Sequence, residues 1–391
     1  MYLLTNGKII TEDQILEGYS LLIQDNIIKK IDKDENFNDC NVKRMNVNGS
    51  YISPGFVDVH SDYIENMASP RPTSMIDFNL SLRETEKVLL GAGITTMFHS
   101  LSFYGKDLFE VKLIRQEDNV RKLLEIVSKA HNEKHLIRNR FHARFEIDAM
   151  KDVDFIKDYI EQGKIHLLSF MDHTPGQGQY RNIEIYKKTL KGYRNDLTDD
   201  DIDNYITTSK KKEKVTLDII NSMVKMAKDH NISVASHDDD SLEKIELMNS
   251  IGATISEFPI NIDVARKAKE VGMYTIVGAP NILIGKSHSG NLSAAEAINN
   301  NVADIICSDY YPAAILHAIF IMNEKYNKDL CEMFRLATIN PAKAVNMDNE
   351  IGSIKEGKKA DILVIDKLNN VPVITNVFVD GKLTSSINFR E

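Results

Sequence analysis

The stretch PGFVDVHSDYIE, residues 54–65, decides the fold. A short apolar run ends in ionisable residues, Asp58, His60 and Asp62. A strand covered on both faces reads as such a run. Chemistry-bearing side chains at its C-terminal end are the mark of a (β/α)₈ barrel, whose site lies at that mouth. Residues two apart on a strand share a face, so these three point one way.

The pattern recurs down the chain. After ISPGFVDVH (52–60) come GITTMFHSL (93–101), FHARFEI (141–147), IHLLSFMDH (165–173), SVASHDD (233–239), GATISEFPI (252–260), YTIVGAPN (274–281) and DIICSDY (304–310). Between them, NVRKLLEIVSKAHNE (119–133) and LDIINSMVKMAKDH (217–230) space apolar residues three and four apart, as helices do. Eight strands alternating with helices predict an α/β fold, a (β/α)₈ TIM-type barrel. A doubly wound open sheet is the alternative. It is the weaker reading, because no Gly-rich dinucleotide fingerprint follows the first strand.

Both ends of the chain differ from this middle. Residues 1–51 and 350–391 carry short strand patterns around Asn-Gly, Asp-Asn and Asp-Gly turns. They predict one small β-sandwich domain built from both termini, with the barrel over 52–349. The segment at about 184–214 breaks the barrel rhythm with an Asp triplet at 199–201 and Lys at 210–212. It reads as a helical insertion or lid, the plainer reading being a solvated helix pair.

Composition narrows the function. The 391 residues carry a net charge of −9, are 42% hydrophobic and 27% charged. That supports a sizeable core and argues against a nucleic-acid face, which would be basic. Cys40, Cys307 and Cys331 form no close pair, and the first residues show no secretory pattern. A reducing, cytoplasmic setting is therefore expected. No apolar run reaches membrane-spanning length, about 18 residues. The expected partner is a small molecule, and a homo-oligomer is compatible with the sequence.

Strand ends supply His60, Asp62, Glu146, His173, His237 and Asp309. Imidazole and carboxylate without thiolate suit borderline divalent ions such as Zn, Mn, Fe or Co. Six such residues suffice for two divalent metal ions bridged by a carboxylate. Taken singly, each His could be a core imidazole, and Asp62 a helix cap. Asp239 and Asp240 read as caps for a helix starting near Leu242. Two glycine-bearing segments add to these, the first beside the proposed ligand His173. DHTPGQGQYR (172–181) offers Gln177, Gln179, Tyr180 and Arg181, with Gly176 and Gly178 letting backbone N–H groups approach an anion. GAPNILIGKSHSGN (278–291) offers Asn281, Lys286, Ser287, His288, Ser289 and Asn291. Neither has the spacing of a P-loop. Arg71 is a further candidate for substrate charge.

PGFVDVHSDYIE, HARFE, LLSFMDHTPGQGQYR, ASHDDD, EFPIN, GAPNILIGKSHSGN and SDYYPAAILHAIF together resemble the PhnM group of the amidohydrolase superfamily. GSIKEGKKADILVID and VFVDGK resemble the superfamily's split β domain. The resemblance covers nearly the whole chain. It implies a (β/α)₈ barrel with a flanking β-sandwich. It also implies hydrolysis of α-D-ribose 1-methylphosphonate 5-triphosphate to the 5-phosphate and pyrophosphate, in carbon–phosphorus lyase metabolism. The six metal residues above carry over, with Glu146 standing where many relatives use a carboxylated lysine, and Asp309 as general base. One departure is plain: the group's phosphate loop carries Arg and Gly where this chain has Ile284 and Lys286. Two rival readings remain: an amidohydrolase cleaving a C–N bond, and a non-catalytic barrel used as a scaffold.

Overall fold

The computed structural model describes residues 1–390 apart from 38–41, 72, 105–112, 131–132, 181, 194–196 and 288–290, and gives only the backbone at 179, 185, 189, 192 and 193. Eight parallel strands form one sheet in strict chain order. They are β1 (Phe56–Ser61), β2 (Ile94–Phe103), β3 (Arg138–Glu146), β4 (Leu167–Met171), β5 (Ser233–His237), β6 (Ile255–Glu257), β7 (Tyr274–Gly278) and β8 (Ile305–Cys307). The barrel closes between first and last strands, where Ser61 bridges Asp309 and the Asp309 N–H donates to the His60 carbonyl at 3.1 Å. Each strand matches one of the eight apolar runs.

Alternation along the strands sorts side chains into two shells. On β3, Phe141, Ala143 and Phe145 face outward into an apolar cluster shared with the helices. His142, Arg144 and Glu146 face the other way. Inside the barrel, Val57, Val59, Phe98, Leu167, Ala235, Ile255, Ile276 and Ile305 form an apolar layer, sealed below by Ala342, Val345 and Ile351. The next layer up is polar. Register pairs His142 with Leu167, Arg144 with Ser169, and His237 with Glu257. The interior thus turns from apolar to ionisable toward the C-terminal strand ends, the mouth where such barrels do chemistry.

Asp58 departs from the expectation that it shares the mouth with His60 and Asp62. Pairing of β1 with β2 shifts between Asp58 and Ser61. Asp58 is instead fully buried and accepts N–H bonds from His60 and Ser308, both at 3.3 Å. It fastens β1 to β8.

The chain ends build two further sheets around one apolar core containing Leu4, Leu21, Ile23, Ile52, Ile362, Val364 and Phe378. One has four strands, all from residues 2–46; the other joins strands from residues 8–54 with strands from 362–386. Arg138, at the start of β3, clasps this region to the barrel. Its guanidinium holds Asp361, with one bond at 3.1 Å, and also Asp380.

Between β4 and β5 lie helices α1 (Ile183–Tyr193) and α2 (Asp199–Ser209). The Asp triplet is the first turn of α2, where the helix dipole favours negative charge. Thr198 and Asp201 cap it reciprocally. Tyr186, Ile202 and Ile206 form a small core of their own. The lysines after α2 are not a free solvated run. Lys212 pairs with Asp148 at 2.9 Å and Lys214 with Asp172 at 2.8 Å, anchoring the insertion to the loops after β3 and β4.

Candidate active site

The strand ends open into a cavity of about 740 Å³. Of the metal residues read from the sequence, His60, Asp62, His173, His237 and Asp309 line it. Asp62 starts the helix after β1 but makes no side-chain cap, so its carboxylate is left to face the cavity. Asp309 takes a left-handed backbone, φ 56°. That conformation is uncommon outside glycine and is held here by the barrel-closing bonds.

Two buried carboxylates set the imidazoles. Glu257, fully buried at the end of β6, accepts from Nδ1 of His60 through one oxygen and from Nδ1 of His237 through the other, both at 3.0 Å. The two rings stack with centroids 5.4 Å apart. Glu146 plays the same part for His173, meeting its backbone N–H at 2.6 Å and its Nδ1 at 2.9 Å. A carboxylate at Nδ1 fixes the tautomer that leaves an Nε2 lone pair for another partner. Arg144 donates to that nitrogen of His237 at 3.2 Å. His142 sits deeper, its ring nitrogens held by Ser100, the Val59 carbonyl and Ser169.

Charge follows burial. Burial, reinforced by Arg144, pushes His60 down to about 3. Burial brings His142 to about 3 and holds His237 well below the ordinary range. These imidazoles are neutral at pH 7, the form that binds metal. For His173, burial opposes the proton, but the Glu146 and Asp238 carboxylates outweigh it and hold the ring well above its usual value. Burial and neighbouring Asp62 raise Asp309 to about 7; burial raises Glu257 to about 7. The carboxyls are short of positive charge.

That shortage fits divalent cations. Two sets of donor atoms lie within 4.8 Å of one another: His60, His142 and Glu257, and His173, His237 and Asp238. His173 Nε2 and Asp238 Oδ2 are buried and face each other at 3.3 Å. An imidazole nitrogen and a carboxylate oxygen facing each other at a cavity wall are the donor types that a divalent cation takes.

The substrate residues divide. Tyr180, Asn281, Ser287 and Asn291 line the cavity. Gln177, Lys286 and Arg71 are exposed and do not. Arg181, His288 and Ser289 lie outside the described residues, as does the side chain of Gln179. The glycine loop also differs from its expected use. Gly178 N–H donates to Asp240 at 2.8 Å, and a Cβ there would sit 3.2 Å from Asp238. This glycine gives the loop close approach to the β5 end. Nor do Asp239 and Asp240 cap the next helix; Ser241 does, while Asp239 is buried against Ser236 and Ser256.

Sequence reasoning missed several lining residues. Arg115, from the long connection after β2, donates through Nε to both Glu65 oxygens at 2.9 and 2.8 Å and reaches Tyr104 and Asp62. Its neighbourhood has no strand pattern to mark it. Tyr186, Leu190 and Tyr205 bring the insertion to the cavity wall, and Phe258 and Tyr310 line it too. Asp238 carried the one available signal, a carboxylate directly after a strand-end histidine.

The amidohydrolase family model matches residues 51–384, and that of the NagA composite domain matches residues 1–52. Over 97% of this chain and 99% of the relative, the sequence is 28% identical to the α-D-ribose 1-methylphosphonate 5-triphosphate diphosphatase of Escherichia coli K12. It is 24% identical to the imidazolonepropionase of Picrophilus torridus, over 92% and 90% of the two chains. Among solved structures, N-acetylglucosamine-6-phosphate deacetylase from Pasteurella multocida superposes with a TM-score of 0.66 at 13% identity, covering 97% of this chain and 98% of that one. The dihydropyrimidinase of Brevibacillus agri gives 0.65 at 14% identity, covering 98% and 95%. The chain belongs to the amidohydrolase family, and over nearly its full length it is similar to the triphosphate diphosphatase within it.

Proposed function

We propose that the protein is a metal-dependent diphosphatase. It cleaves the α–β phosphoanhydride of α-D-ribose 1-methylphosphonate 5-triphosphate, or a related sugar triphosphate, to the 5-phosphate and pyrophosphate. The observation that carries this reading is the near end-to-end similarity to the Escherichia coli diphosphatase. The cavity supports it, being large enough for such a ligand, with ionisable groups at one end. His60, Asp62, His173, His237 and Asp309 would hold the metal ions. When bound, such ions act as Lewis acids that make a nucleophile of water near neutral pH and offset phosphate charge.

The chain's own residues do the rest. Asp309, which lines the cavity at the end of β8, would take the proton of the attacking water as general base. Water attacks the α-phosphorus, and the α–β bridging oxygen leaves with pyrophosphate. Arg115, Asn281, Ser287 and Asn291 face the cavity where phosphate oxygens would lie. Lys286 and Arg181 would add charge from the loops. Positioning and charge stabilisation of this kind dominate phosphoryl transfer. Cys307 and Cys331 are free and buried, which suits the cytoplasm. No helix among the described residues is long and apolar enough to cross a membrane.

One observation favours a second reading, hydrolysis of a C–N bond. Arg115 and Arg144 are the only described cationic side chains lining the cavity apart from histidine, and both already serve protein partners. The test is a panel of sugar and nucleoside 5′-triphosphates beside cyclic amides, amino-purines and N-acetyl sugars. Pyrophosphate release from a triphosphate supports the proposal; turnover confined to the amides replaces it. A purified protein that neither binds metal nor turns over any of the panel would be a scaffold.

A further inference from the structure

The cavity has a second wall of different chemistry. It is brought by the insertion between β4 and β5, which contributes Tyr186 and Leu190 from α1 and Tyr205 from α2, with Tyr180 just before them. The cleavage step described above uses none of these side chains. Their rings lead away from the strand ends. His173 and Tyr180 have centroids 5.8 Å apart, and Tyr180 and Tyr186 lie 4.6 Å apart. Tyr180 is delivered by the turn after β4, where the Gly176 N–H donates to its carbonyl at 3.0 Å.

The wall is supported from behind. Tyr186 is buried against Ile202 and Ile206, and Leu190 and Tyr205 pack on the same small core while reaching the cavity. Lys187 joins Asp203 and Lys191 joins Asp199, both at 2.6 Å, so α1 and α2 hold each other. Lys212 and Lys214 tie the insertion to the loops after β3 and β4. These pairs also keep the lysines away from the cavity: none of those described lines it. Among the described residues, the insertion's wall thus presents aromatic and aliphatic surface and no cation. A phosphonate dianion facing it would lack the charged donors such a group takes. A neutral planar ring would be matched, because aromatic side chains stack on heterocycles of any base type. With the α-phosphate at the ionisable end, a ribose carries its C1 substituent toward this wall. A volume of about 740 Å³ lies well within the range of ligand pockets and leaves room for that ring.

We propose that Tyr186, Leu190 and Tyr205 form a subsite for a planar heterocycle at C1 of the ribose, so that the protein also acts on nucleoside 5′-triphosphates. The inference rests on the diphosphatase reading above and extends its substrate class. Water adds its oxygen to the α-phosphorus of the nucleotide. The bond from that phosphorus to the α–β bridging oxygen breaks, and its electron pair leaves with pyrophosphate. Asp309 takes the water's proton and releases it to solvent. The products are the nucleoside 5′-monophosphate and pyrophosphate, and no further reactant enters.

The test compares ATP with ribose 5-triphosphate, which lacks the ring, as substrates of the metal-loaded protein. Calorimetric binding of the uncleavable α,β-methylene analogue of ATP is a second readout. ATP is expected to give AMP and pyrophosphate with the higher kcat/KM, the advantage lying in KM. Tyr205→Leu should lower the ratio of kcat/KM for ATP over ribose 5-triphosphate by at least about 5-fold, the low end of what stacking one base contributes, and weaken the analogue to match. Tyr205→Phe keeps the ring and should restore the ratio. Leu190→Ala should lower it in the same direction, and serves if Tyr205→Leu does not fold. Cleavage of ribose 5-triphosphate with ATP neither bound nor cleaved, or a ratio that neither Tyr205→Leu nor Leu190→Ala changes, would overturn the subsite alone. Binding of the analogue, weakened in Tyr205→Leu, by a protein that cleaves neither triphosphate would support the subsite and overturn the diphosphatase reading.

Discussion

Replacing Glu257 by Gln separates two things that this one carboxylate does. It is fully buried, and each oxygen receives a ring N–H, from His60 and from His237. An amide has one accepting oxygen and one donating nitrogen. One imidazole therefore keeps its tautomer, and the other must turn Nδ1 into an acceptor and place its proton on Nε2. That nitrogen can then no longer hold a metal. Disrupting a carboxylate behind a histidine ligand costs about 10–100-fold in metal affinity, or roughly 1.4–2.8 kcal/mol. The metal-free protein should move the other way. Burial lifts the Glu257 carboxyl from 4.5 to about 7. As pH rises through 4.5 the unfolded chain loses this proton while the folded chain keeps it, so the wild type loses stability up to pH 7. The full loss for a shift of that size is about 3 kcal/mol. Glu257→Gln has no such proton to lose. Denaturant unfolding of the chelated proteins at pH 5 and pH 8, beside metal titrations at pH 7.5, checks both halves. The variant should bind metal more weakly, yet lose less stability between the two pH values. Unchanged metal affinity, or a parallel pH response in the two apo proteins, would refute the reasoning.

Other perturbations test other links. Asp309→Asn should lower turnover by about 10²–10⁴-fold, the contribution of a positioned proton acceptor, while circular dichroism stays unchanged. Unaltered turnover would remove its role as base. Burial lowers His99 to about 4, so its imidazole stays neutral against Asn139 while the unfolded chain gains a proton near 6.5. Stability should therefore fall as pH drops from 6.5 toward 4, by up to about 3 kcal/mol. His99→Gln keeps a donor to Asn139 and should flatten that part of the acid profile; the wild-type minus variant difference isolates it from the other histidines. Arg138→Leu leaves the buried Asp361 carboxylate unpaired and should lower the unfolding free energy by about 3–5 kcal/mol, read from denaturant midpoints. A change within 1 kcal/mol, roughly the worth of an exposed pair, would show that the clasp is not a buried one.

The barrel was legible because its physics is local. Strands covered on both faces read as short buried runs, and the eight runs stand out as such even where, as on β3, Phe141, Ala143 and Phe145 alternate with His142, Arg144 and Glu146. His60, His173, His237 and Asp309 were legible for a related reason. They stand at the ends of those runs, and a barrel gathers all such ends at one mouth. What stayed hidden depends on contacts across the barrel. Glu257 ends a strand of only three residues, and its importance comes from reaching β1 and β5 together. Arg115 arrives from a connection without periodicity. Asp58 looked like part of the mouth until the irregular pairing of β1 turned it toward β8. Gly178 illustrates the limit most clearly. A glycine-rich loop after a ligand suggests N–H groups for phosphate, but here the donor is already given to Asp240.

The central claim is attack by water on the α-phosphorus of a sugar triphosphate. Its most direct test is turnover of ribose 5-triphosphate, or its 1-phosphonate, by the metal-loaded protein in ¹⁸O water, with both products weighed by mass spectrometry. The account predicts one ¹⁸O in the sugar 5-phosphate and none in pyrophosphate. Label in the pyrophosphate, or inorganic phosphate as the released product, would contradict it.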